Sequence, residues 1–301
     1  MDFLYADYKE MRVDVLLICY NQSRFIQKAL ESIFFQRVNA CVRIIVADDG
    51  STDDTLGSIR AMAQSSPFEM IFLPEVGNQG ISKNYQRAFE ACESDYIAIL
   101  EGDDYWCSPY HLKQHIEFLD EHRECSMSMN QFLWEDDKRG VFSRFKWGYP
   151  CSPYYVSVEE QIVKGNQLGN LSACVLRTSC VKKLSATLFD MPLADWMLGV
   201  MLAQQGFLAI LETPTSVYRT NSRSVWASKT KDEQLGIMLS KADEYDAFQD
   251  GKYHDYWQGF KRNLLNEGIP SRRGWLPPFI LSLMRGFVPP AIKQMLKRHG
   301  Q

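Results

Sequence analysis

Short apolar runs alternate with helix-like segments over the first hundred residues of the chain. The runs contain few polar positions, which is typical of strands buried on both faces of a parallel sheet. They lie at residues 12–21, 42–47, 68–73 and 96–100. Apolar positions recur at helical spacing over residues 24–36 and 82–93, and another helix follows residue 54. Four strands alternating with three helices predict an α/β fold with a mostly parallel, doubly wound central sheet flanked by helices.

The pattern changes after residue 104. The segment 125–156 is strand-like or loop-like and rich in aromatic residues. Helices are predicted after Pro109, after the capping box at 157–160 and over 194–205, and strands are predicted at 171–177, 207–211 and 216–219. The polar segment 220–229 predicts a mobile loop. From about residue 231 the pattern is helical, with proline pairs at 277–278 and 289–290 as breaks, so we divide the chain into a unit over 1–230 and a helical extension over 231–301.

The composition indicates a globular protein, since 46% of the 301 residues are hydrophobic and 13% are aromatic. No run reaches about 18 uninterrupted apolar residues, so we expect no transmembrane helix. The acidic segment 1–12 lacks the apolar core of a secretory signal. The eight cysteines form no CxxC pair, which is typical of free thiols in a reducing compartment. We therefore expect a cytoplasmic protein, with the inner face of the membrane as a possible place of action.

Charge is distributed unevenly along the chain. Residues 251–301 contain nine Lys or Arg and two Asp or Glu, a net charge of +7, which leaves −11 on the first 250 residues. A basic tail that contains Trp and Phe favours a peripheral contact with anionic lipid. A basic helical pair packed on the body explains the same residues equally well. The acidic body argues against nucleic acid as a partner.

Carboxylates directly follow two of the predicted strands. Glu101, Asp103 and Asp104 follow one strand, and the pair 48–49 follows another. The carboxyl ends of parallel strands lie at one edge of a sheet, so these turns should meet there. Carboxylates so close together repel one another unless a cation or solvent offsets their charge. The turns therefore predict a divalent metal site for Mg²⁺ or Mn²⁺, with a solvated acidic loop as the alternative.

Short motifs in a characteristic order narrow the function. They are CYN (19–21), DDGSTD (48–53), NQG (78–80), EGDD (101–104), ADW (194–196), and YR (218–219) followed by SVW (224–226). In this order, over residues 13 to about 226, they resemble the inverting glycosyltransferases of family 2, which have the GT-A nucleotide-diphospho-sugar transferase fold. The resemblance implies transfer of a sugar from a nucleoside diphosphate donor, a UDP-sugar, to a glycan or lipid-linked glycan in cell-envelope polysaccharide synthesis. Residues 12–108 would form the nucleotide-sugar half of the catalytic domain, and residues 109–230 the acceptor half.

The resemblance also implies roles for single residues of the donor half. Tyr20 would pack on the nucleobase and Asp49 would hydrogen-bond it; the alternatives are a core aromatic and a turn residue. Asp103 would ligate Mn²⁺ or Mg²⁺ between the two phosphates, and Glu101 would hold the ribose or a metal-bound water. The remaining predicted contacts of the nucleotide-sugar are Asn21, Gly80, Asn84, Gly102 and, behind the ligands, Asp104.

In the acceptor half, the resemblance makes Asp195 the catalytic base. It would accept the proton of the acceptor hydroxyl during a one-step inverting attack. Trp196 would face a sugar ring, and Arg219 with the segment after it would close over the diphosphate as a lid. Ser224 and Trp226 complete the predicted acceptor and lid residues. The alternative for Asp195 and Trp196 is a carboxylate that stabilises its own helix, followed by a core tryptophan.

The chain departs from the family's pattern at several positions. Glu101 replaces the usual first aspartate of the DxD metal motif, and Tyr85-Gln86 replaces the usual Arg-Asn of the third helix. Ile18 stands where Pro or Thr is common. Asn221 stands where many relatives have a histidine, so a histidine metal ligand is not expected.

Other classes of protein explain the sequence less well. A non-catalytic nucleotide-sugar-binding subunit on the same fold is the main alternative, although such a subunit would have little reason to keep Asp195. A sugar-1-phosphate nucleotidyltransferase needs a glycine-rich basic loop after the first strand, and residues 20–24 do not form one. The absence of GxGxxG and GxxxxGK motifs argues against dinucleotide oxidoreductases and P-loop enzymes. His111 and His115 have a spacing that can bind zinc, but they lack the glutamate of HExxH and a cysteine at ligand spacing.

Overall fold

A computed structural model describes residues 11–136, 141–144, 149, 151–191, 195–220 and 229–267. Its strands are Arg12–Cys19 (β1), Cys41–Asp48 (β2), Glu69–Phe72 (β3), Tyr96–Glu101 (β4), Tyr105–Trp106 (β5), Cys125–Asp136 (β6), Val141–Arg144 (β7), Tyr154–Val156 (β8), Cys174–Arg177 (β9) and Phe207–Thr220 (β10). Its α-helices are Ile26–Phe34 (α1), Thr55–Ala63 (α2), Ile81–Ala91 (α3), His111–Glu121 (α4), Val158–Val163 (α5), Thr178–Val181 (α6), Asp195–Ala203 (α7), Lys231–Phe248 (α8) and His254–Glu267 (α9). Within these ranges no helix is both long and apolar enough to cross a membrane.

The strands form one mixed sheet in the order β3-β2-β1-β4-β9-β6-β10-β5. The first four strands of this order are parallel, as the alternation of apolar runs and helices predicts. In the second half, β9 runs antiparallel to both of its neighbours, and β6 is parallel to β10. The expected α/β fold with a mostly parallel central sheet is therefore confirmed.

Two hydrophobic layers cover the sheet, which explains why its central strands have few polar positions. Leu16 and Ile18 of β1 point into the layer that contains α3, α7 and part of α8 and α9. Val15 and Leu17 point into the layer that contains α1 and α4. Each residue of β1 from 13 to 19 is buried, so the strand has no solvent face on which an alternating polar residue would be favourable.

Some elements differ from the sequence prediction. Residues 207–220 form one strand rather than two, with a register shift between Leu211 and Ser216. Pro214 lies at this irregularity, where its missing N–H cannot contribute to the ladder. Residues 171–173 form a turn of 3₁₀ helix rather than the start of a strand, whereas the capping box is present in part, because the Ser157 side chain accepts a hydrogen bond from the Glu160 N–H.

The described part of the helical extension packs on the catalytic unit. Tyr245, Trp257, Phe260 and Leu264 of α8 and α9 belong to the same buried cluster as Trp196 of α7. For residues 251–267 the structure therefore matches the packed alternative of the sequence analysis. The rest of the basic tail, 268–301, lies outside the described residues.

Two buried histidines lie between α4 and the sheet, and both are structural. His111 Nδ1 lies 2.7 Å from Thr215 Oγ1, and that hydroxyl donates to Asn130 Oδ1 at 2.8 Å. Because the Thr215 proton is used in this way, His111 must donate its Nδ1–H. Burial lowers the pKa of His111 well below its usual value, which keeps the imidazole neutral. His115 Nδ1 lies 2.7 Å from Ser128 Oγ. Among the described residues neither imidazole Nε2 atom has a hydrogen-bond partner.

Acid is expected to destabilise the fold through His115. Burial lowers the pKa of His115 from 6.5 to about 3. His115 therefore becomes protonated near pH 6.5 in the unfolded chain but stays neutral in the folded chain. Its contribution to the free energy of unfolding is constant above that pH and decreases below it. Between pH 6.5 and 5 the loss is about 1.5 kcal/mol.

The measurement is urea unfolding at pH 6.5 and 5 for the wild type and for His115→Asn, which keeps a polar group near Nδ1. The wild type should lose about 1.5 kcal/mol more than the variant. His122→Asn is the matched control, because that side chain is 25% exposed at the end of the same helix. Equal losses in wild type and His115→Asn would contradict the prediction.

Candidate functional site

A cleft of about 300 Å³ opens where three parallel strands end. In the register of the sheet, Cys19 at the end of β1 pairs with Asp48 of β2, and Ile18 pairs with Glu101 of β4. The turns after these strands therefore meet, as expected for the carboxyl edge of a parallel sheet. The cleft is lined by six of the predicted donor residues: Tyr20, Asp49, Gly80, Asn84, Glu101 and Asp103.

One wall of the cleft is the loop before α3, which Asp49 holds in place. The buried carboxylate of Asp49 accepts hydrogen bonds from the backbone N–H groups of Gln79 at 2.8 Å and Gly80 at 3.0 Å. Gly80 has φ +85°, a conformation that side chains other than glycine rarely adopt. Asn84 donates to the Ala47 carbonyl at 2.8 Å. Asp49 and Asn84 thus shape this wall, and their contact with a nucleotide stays a prediction.

Two apolar side chains flank the same cleft. Tyr20 is 44% exposed and Ile81 is 49% exposed, so both can cover a flat ligand. The Asn21 side chain points to the turn after β2 and not into the cleft lining. Its Oδ1 accepts hydrogen bonds from the Thr52 N–H at 2.7 Å and from the Asp53 N–H at 3.3 Å. This residue supports the turn after β2, and Ile81 is a cleft residue that the sequence analysis did not select.

The turn after β4 requires its glycine. A Cβ on Gly102 would lie 2.8 Å from Ile26 Cδ1 and would also collide with the Gln22 side chain. Gly102 N donates to the Ile18 carbonyl at 2.8 Å, which ties the turn to β1. Gly102 therefore lets the backbone pass close to β1 and α1, and it places the two neighbouring carboxylates at the cleft.

Asp104 ties this turn to segments that follow much later in the chain. Its carboxylate is buried and accepts from Ser172 Oγ at 2.7 Å, Asn170 Nδ2 at 3.0 Å and the Arg219 N–H at 2.9 Å. Burial and the charge of Asp103 raise the pKa of Asp104 to about 8. These donors let Asp104 fix the position of the turn, and its contact with a nucleotide stays a prediction.

Arg219 supports the turn after β4 from the interior of the protein. This placement corrects its prediction as a lid residue. It is 7% exposed, and its guanidinium lies over the rings of Phe25 at 4.8 Å and Tyr105 at 5.1 Å. Its Nε donates to the backbone carbonyl of Asp103. A side chain held by these contacts cannot swing over a diphosphate without releasing the turn.

Asp103 and Glu101 offer the oxygen ligands expected for Mg²⁺ or Mn²⁺. Burial, followed by the charges of Asp104, Asp103 and Asp195, raises the pKa of Glu101 well above its usual value. A divalent cation would relieve this crowding of carboxylates. In the part of the chain that the structure describes, no three His, Cys, Asp or Glu side chains converge as ligands of one ion. The residues thus fit an ion bound by one or two carboxylates, with phosphate and water as further ligands.

Asp195 is the first residue of α7, outside the lining of the cleft. Burial raises the pKa of its carboxyl, and a hydrogen bond with the Asn166 side chain opposes the shift. The charge of Asp195 in turn raises the pKa values of Tyr85 and Tyr218. Residues 94 positions apart in the sequence, Glu101 and Asp195, thus lie within electrostatic reach of each other, and a carboxylate with a raised pKa suits a general base.

Trp196 is a core residue, which corrects the prediction that it faces the acceptor. It is 5% exposed, and its indole N–H donates to the Gln161 carbonyl at 2.8 Å. Its ring packs against Phe260 at 4.6 Å and Trp257 at 5.2 Å. Successive helix positions point about 100° apart, so Asp195 can face the cleft while its neighbour enters the core. Ser224 and Trp226 lie outside the described residues.

Two tyrosines near the carboxylates were not selected from the sequence. Tyr85 donates its hydroxyl to Glu101 Oε1 at 3.0 Å. Tyr218 is half-buried, and burial followed by the charges of Asp104 and Glu101 raises its pKa. The sequence marked Tyr85 only as a replacement on the third helix, and its contact with Glu101 is seen only in three dimensions. Tyr218 belongs to the YR motif and could have been selected from its position beside Arg219.

Comparison with known sequences identifies related proteins. A family model for Glycosyl transferase family 2 matches residues 14–171. An uncharacterized protein of Mycobacterium tuberculosis is 30% identical over 227 residues, which cover 74% of this chain and 62% of the relative. The chain thus spans about 62% of the length of that relative. The UDP-Glc:alpha-D-GlcNAc-diphosphoundecaprenol beta-1,3-glucosyltransferase WfaP of Escherichia coli is 26% identical over 225 residues, covering 73% of this chain and 82% of the relative.

Solved structures share the fold. Staphylococcus aureus TarS in complex with UDP-GlcNAc has a TM-score of 0.60 and 20% identity, over 84% of this chain and 72% of that one. The mannosyltransferase PcManGT of Pyrobaculum calidifontis, in complex with GDP-Man and Mn²⁺, has a TM-score of 0.61 and 15% identity, over 96% of this chain and 80% of that one. At these identities the likeness concerns the fold, and it confirms the expected GT-A arrangement.

Proposed function

Because the chain belongs to glycosyltransferase family 2, we propose that it transfers a sugar from a UDP-sugar to a hydroxyl of a glycan or lipid-linked glycan. The observation that carries the proposal is the cleft, where six predicted donor residues meet and Asp195 lies within electrostatic reach of Glu101. The names of two similar proteins support the donor class: WfaP is a UDP-Glc glucosyltransferase, and TarS was solved with UDP-GlcNAc. The undecaprenol-linked acceptor in the name of WfaP supports a role in cell-envelope polysaccharide synthesis.

In this proposal the donor lies across the ends of β1, β2 and β4. The exposed faces of Tyr20 and Ile81 cover the nucleobase, and Asp49 binds its edge while holding the wall of the cleft. Glu101 and Asp103 lie farther along the cleft, toward the diphosphate. They would hold Mn²⁺ or Mg²⁺, which neutralises charge on the departing diphosphate when it is bound. PcManGT, solved with Mn²⁺, supports the use of a divalent ion.

The transfer itself needs a base and no covalent nucleophile. Asp195 accepts the proton of the acceptor hydroxyl while that oxygen attacks the anomeric carbon from the face opposite the diphosphate. The anomeric configuration is inverted in this single displacement. Burial raises the pKa of Asp195 above its usual value, which makes its carboxylate a stronger proton acceptor.

Thermal unfolding in the presence of UDP, GDP and a panel of their sugars, each with Mn²⁺, tests the donor class. A ligand at about 100 times its Kd stabilises the folded state by about 2.7 kcal/mol, so the bound nucleotide should raise the melting temperature by several degrees. Transfer or slow hydrolysis of the stabilising sugar nucleotide would then show catalysis. Binding without either reaction would favour the non-catalytic subunit, and no response to any nucleotide would overturn the proposal.

The basic tail gives a separate prediction about location. We expect residues 275–298 to bring the protein to the inner face of the membrane by binding anionic lipid, at about 1 kcal/mol per basic residue near the surface. Deleting them should release the protein from anionic vesicles in a sedimentation assay. The control is a set of neutral vesicles, to which neither form should bind. Equal binding of the full chain and the deletion to anionic vesicles would refute this prediction.

A further inference from the structure

We propose that Tyr85 is a positioning residue that fixes Glu101 in the donor site, so that Glu101 offers a single oxygen to the donor. The inference rests on the proposed function, since it assigns a task within the same site. Tyr85 and Glu101 belong to two different elements, α3 and β4. In the structure they are the two ends of one hydrogen bond of 3.0 Å, from the Tyr85 hydroxyl to Glu101 Oε1.

The hydroxyl of Tyr85 cannot easily move, because its ring is locked in the core. Tyr85 is 2% exposed on the inner face of α3. Its ring packs against Phe89 at 5.7 Å, and Phe89 packs against Phe189 at 6.1 Å. The helix that bears it is tied to the sheet by the hydrogen bond from Asn84 to the Ala47 carbonyl. The donor of the Glu101 hydrogen bond is therefore part of the rigid framework.

Glu101 is held at both its backbone and its side chain. Its backbone N–H donates to Ser172 Oγ at 3.1 Å, and Ser172 Oγ in turn donates to Asp104. At the other end, Tyr85 occupies Oε1, which leaves Oε2 for the cleft that Glu101 lines. The hydrogen bond fixes the orientation of the carboxylate, so that Oε2 is the oxygen presented to a ribose hydroxyl or to an ion.

The length of the Glu101 side chain explains why a glutamate, and not an aspartate, pairs with Tyr85. An aspartate at 101 is shorter by one carbon–carbon bond, about 1.5 Å. It could not keep the contact with a tyrosine fixed on α3 and still reach the cleft with its second oxygen. Tyr85 and Glu101 are thus a matched pair. The tyrosine binds Oε1, and the longer side chain of the glutamate lets Oε2 reach the cleft.

A double-mutant cycle with Tyr85→Phe and Glu101→Asp tests the pairing. The quantities measured are the Kd of UDP with Mn²⁺, by calorimetry, and the kcat and donor KM of transfer. Losing a hydrogen bond to a carboxylate should weaken UDP binding about tenfold in Tyr85→Phe. The donor KM should rise by a similar factor, while kcat changes by less than about threefold, because the ring and Asp195 stay in place.

The cycle separates positioning from a merely structural role. If Tyr85 acts through Glu101, the double variant should bind UDP no more weakly than Glu101→Asp alone. Tyr96→Phe is the matched control: it removes the hydroxyl of another tyrosine with little exposed surface, 3.4 Å from Asp120 Oδ1, at the opposite end of the strand that bears Glu101. It should leave Kd and KM unchanged even if it lowers the melting temperature as much as Tyr85→Phe does.

Two results would overturn the inference. One is a Tyr85→Phe protein that binds UDP as the wild type does, and the other is additive losses in the double variant. Both leave the proposed function intact, because the wild type still binds and transfers. A wild-type protein that binds no nucleoside diphosphate would overturn the proposed function together with this inference.

Discussion

Replacing Asp195 with asparagine is expected to lower the rate of sugar transfer by about 10²–10⁴-fold, the usual contribution of a general base. Asparagine keeps the size of the side chain and its place at the start of α7, but it cannot accept the proton of the acceptor hydroxyl. The donor should still bind, since the residues that line the donor cleft belong to other elements. The expected signature is a loss of kcat with an unchanged Kd for UDP.

The matched control is Asp190→Asn. Asp190 lies five residues earlier, is 62% exposed in its side chain and pairs with Lys83 at 2.6 Å. Its replacement removes the same charge from the same region without touching the cleft, so activity should remain within about twofold. Full activity of Asp195→Asn would exclude this residue as the base and leave the cleft as a binding site only.

The second large effect concerns stability. Trp257→Ala should lower the free energy of unfolding by about 3–5 kcal/mol, as expected for truncation of a buried tryptophan. Trp257 is 1% exposed, packs against Trp196 at 5.2 Å, and donates its indole N–H to Gln249 Oε1 at 2.9 Å. Removing the ring opens a cavity against the helix that bears Asp195, and it leaves the Gln249 amide without its donor.

Urea unfolding monitored by circular dichroism measures this loss. Tyr256→Ala is the control, because Tyr256 precedes Trp257 on α9 but is 43% exposed. Its truncation should cost less than about 1 kcal/mol. A Trp257→Ala protein as stable as the wild type would mean that α9 adds little to the fold, contrary to its place in the shared core.

The sequence was sufficient to predict the donor half because β1, β2 and β4 are largely buried on both faces. Such strands read as mainly apolar runs, and their carboxyl ends must meet at one edge, so the cleft could be placed without the structure. The second half was harder to predict. Its strand β10 crosses an irregularity at Pro214, and β9 joins the sheet in the antiparallel sense. No short-range pattern encodes either feature.

Single site residues were predicted less well than the site as a whole. Motifs identify residue types, but they do not reveal the direction in which each side chain points. Trp196 follows the predicted base and yet points into the core, and Arg219 holds the Asp103 carbonyl instead of reaching over the cleft. Asp104 is engaged by three donors from distant segments. These roles depend on contacts between residues that are 35 to 116 positions apart, which spacing along the chain cannot show.

An aromatic cluster of Trp196, Tyr245, Trp257 and Phe260 joins α7 to α8 and α9. This cluster also determines when the protein can finish folding during its synthesis. A ribosome releases the chain from its N-terminus, and early segments fold while later ones are still being made. All the residues that line the donor cleft lie at or before residue 103, but the contacts that fix the turn after β4 come from Asn170, Ser172 and Arg219. The helix that carries Asp195 gains its last packing partners only when Phe260 and Leu264 have left the exit tunnel. The nascent chain therefore contains the whole lining of the cleft before the turn with its carboxylates and the helix of the proposed base are fixed in place.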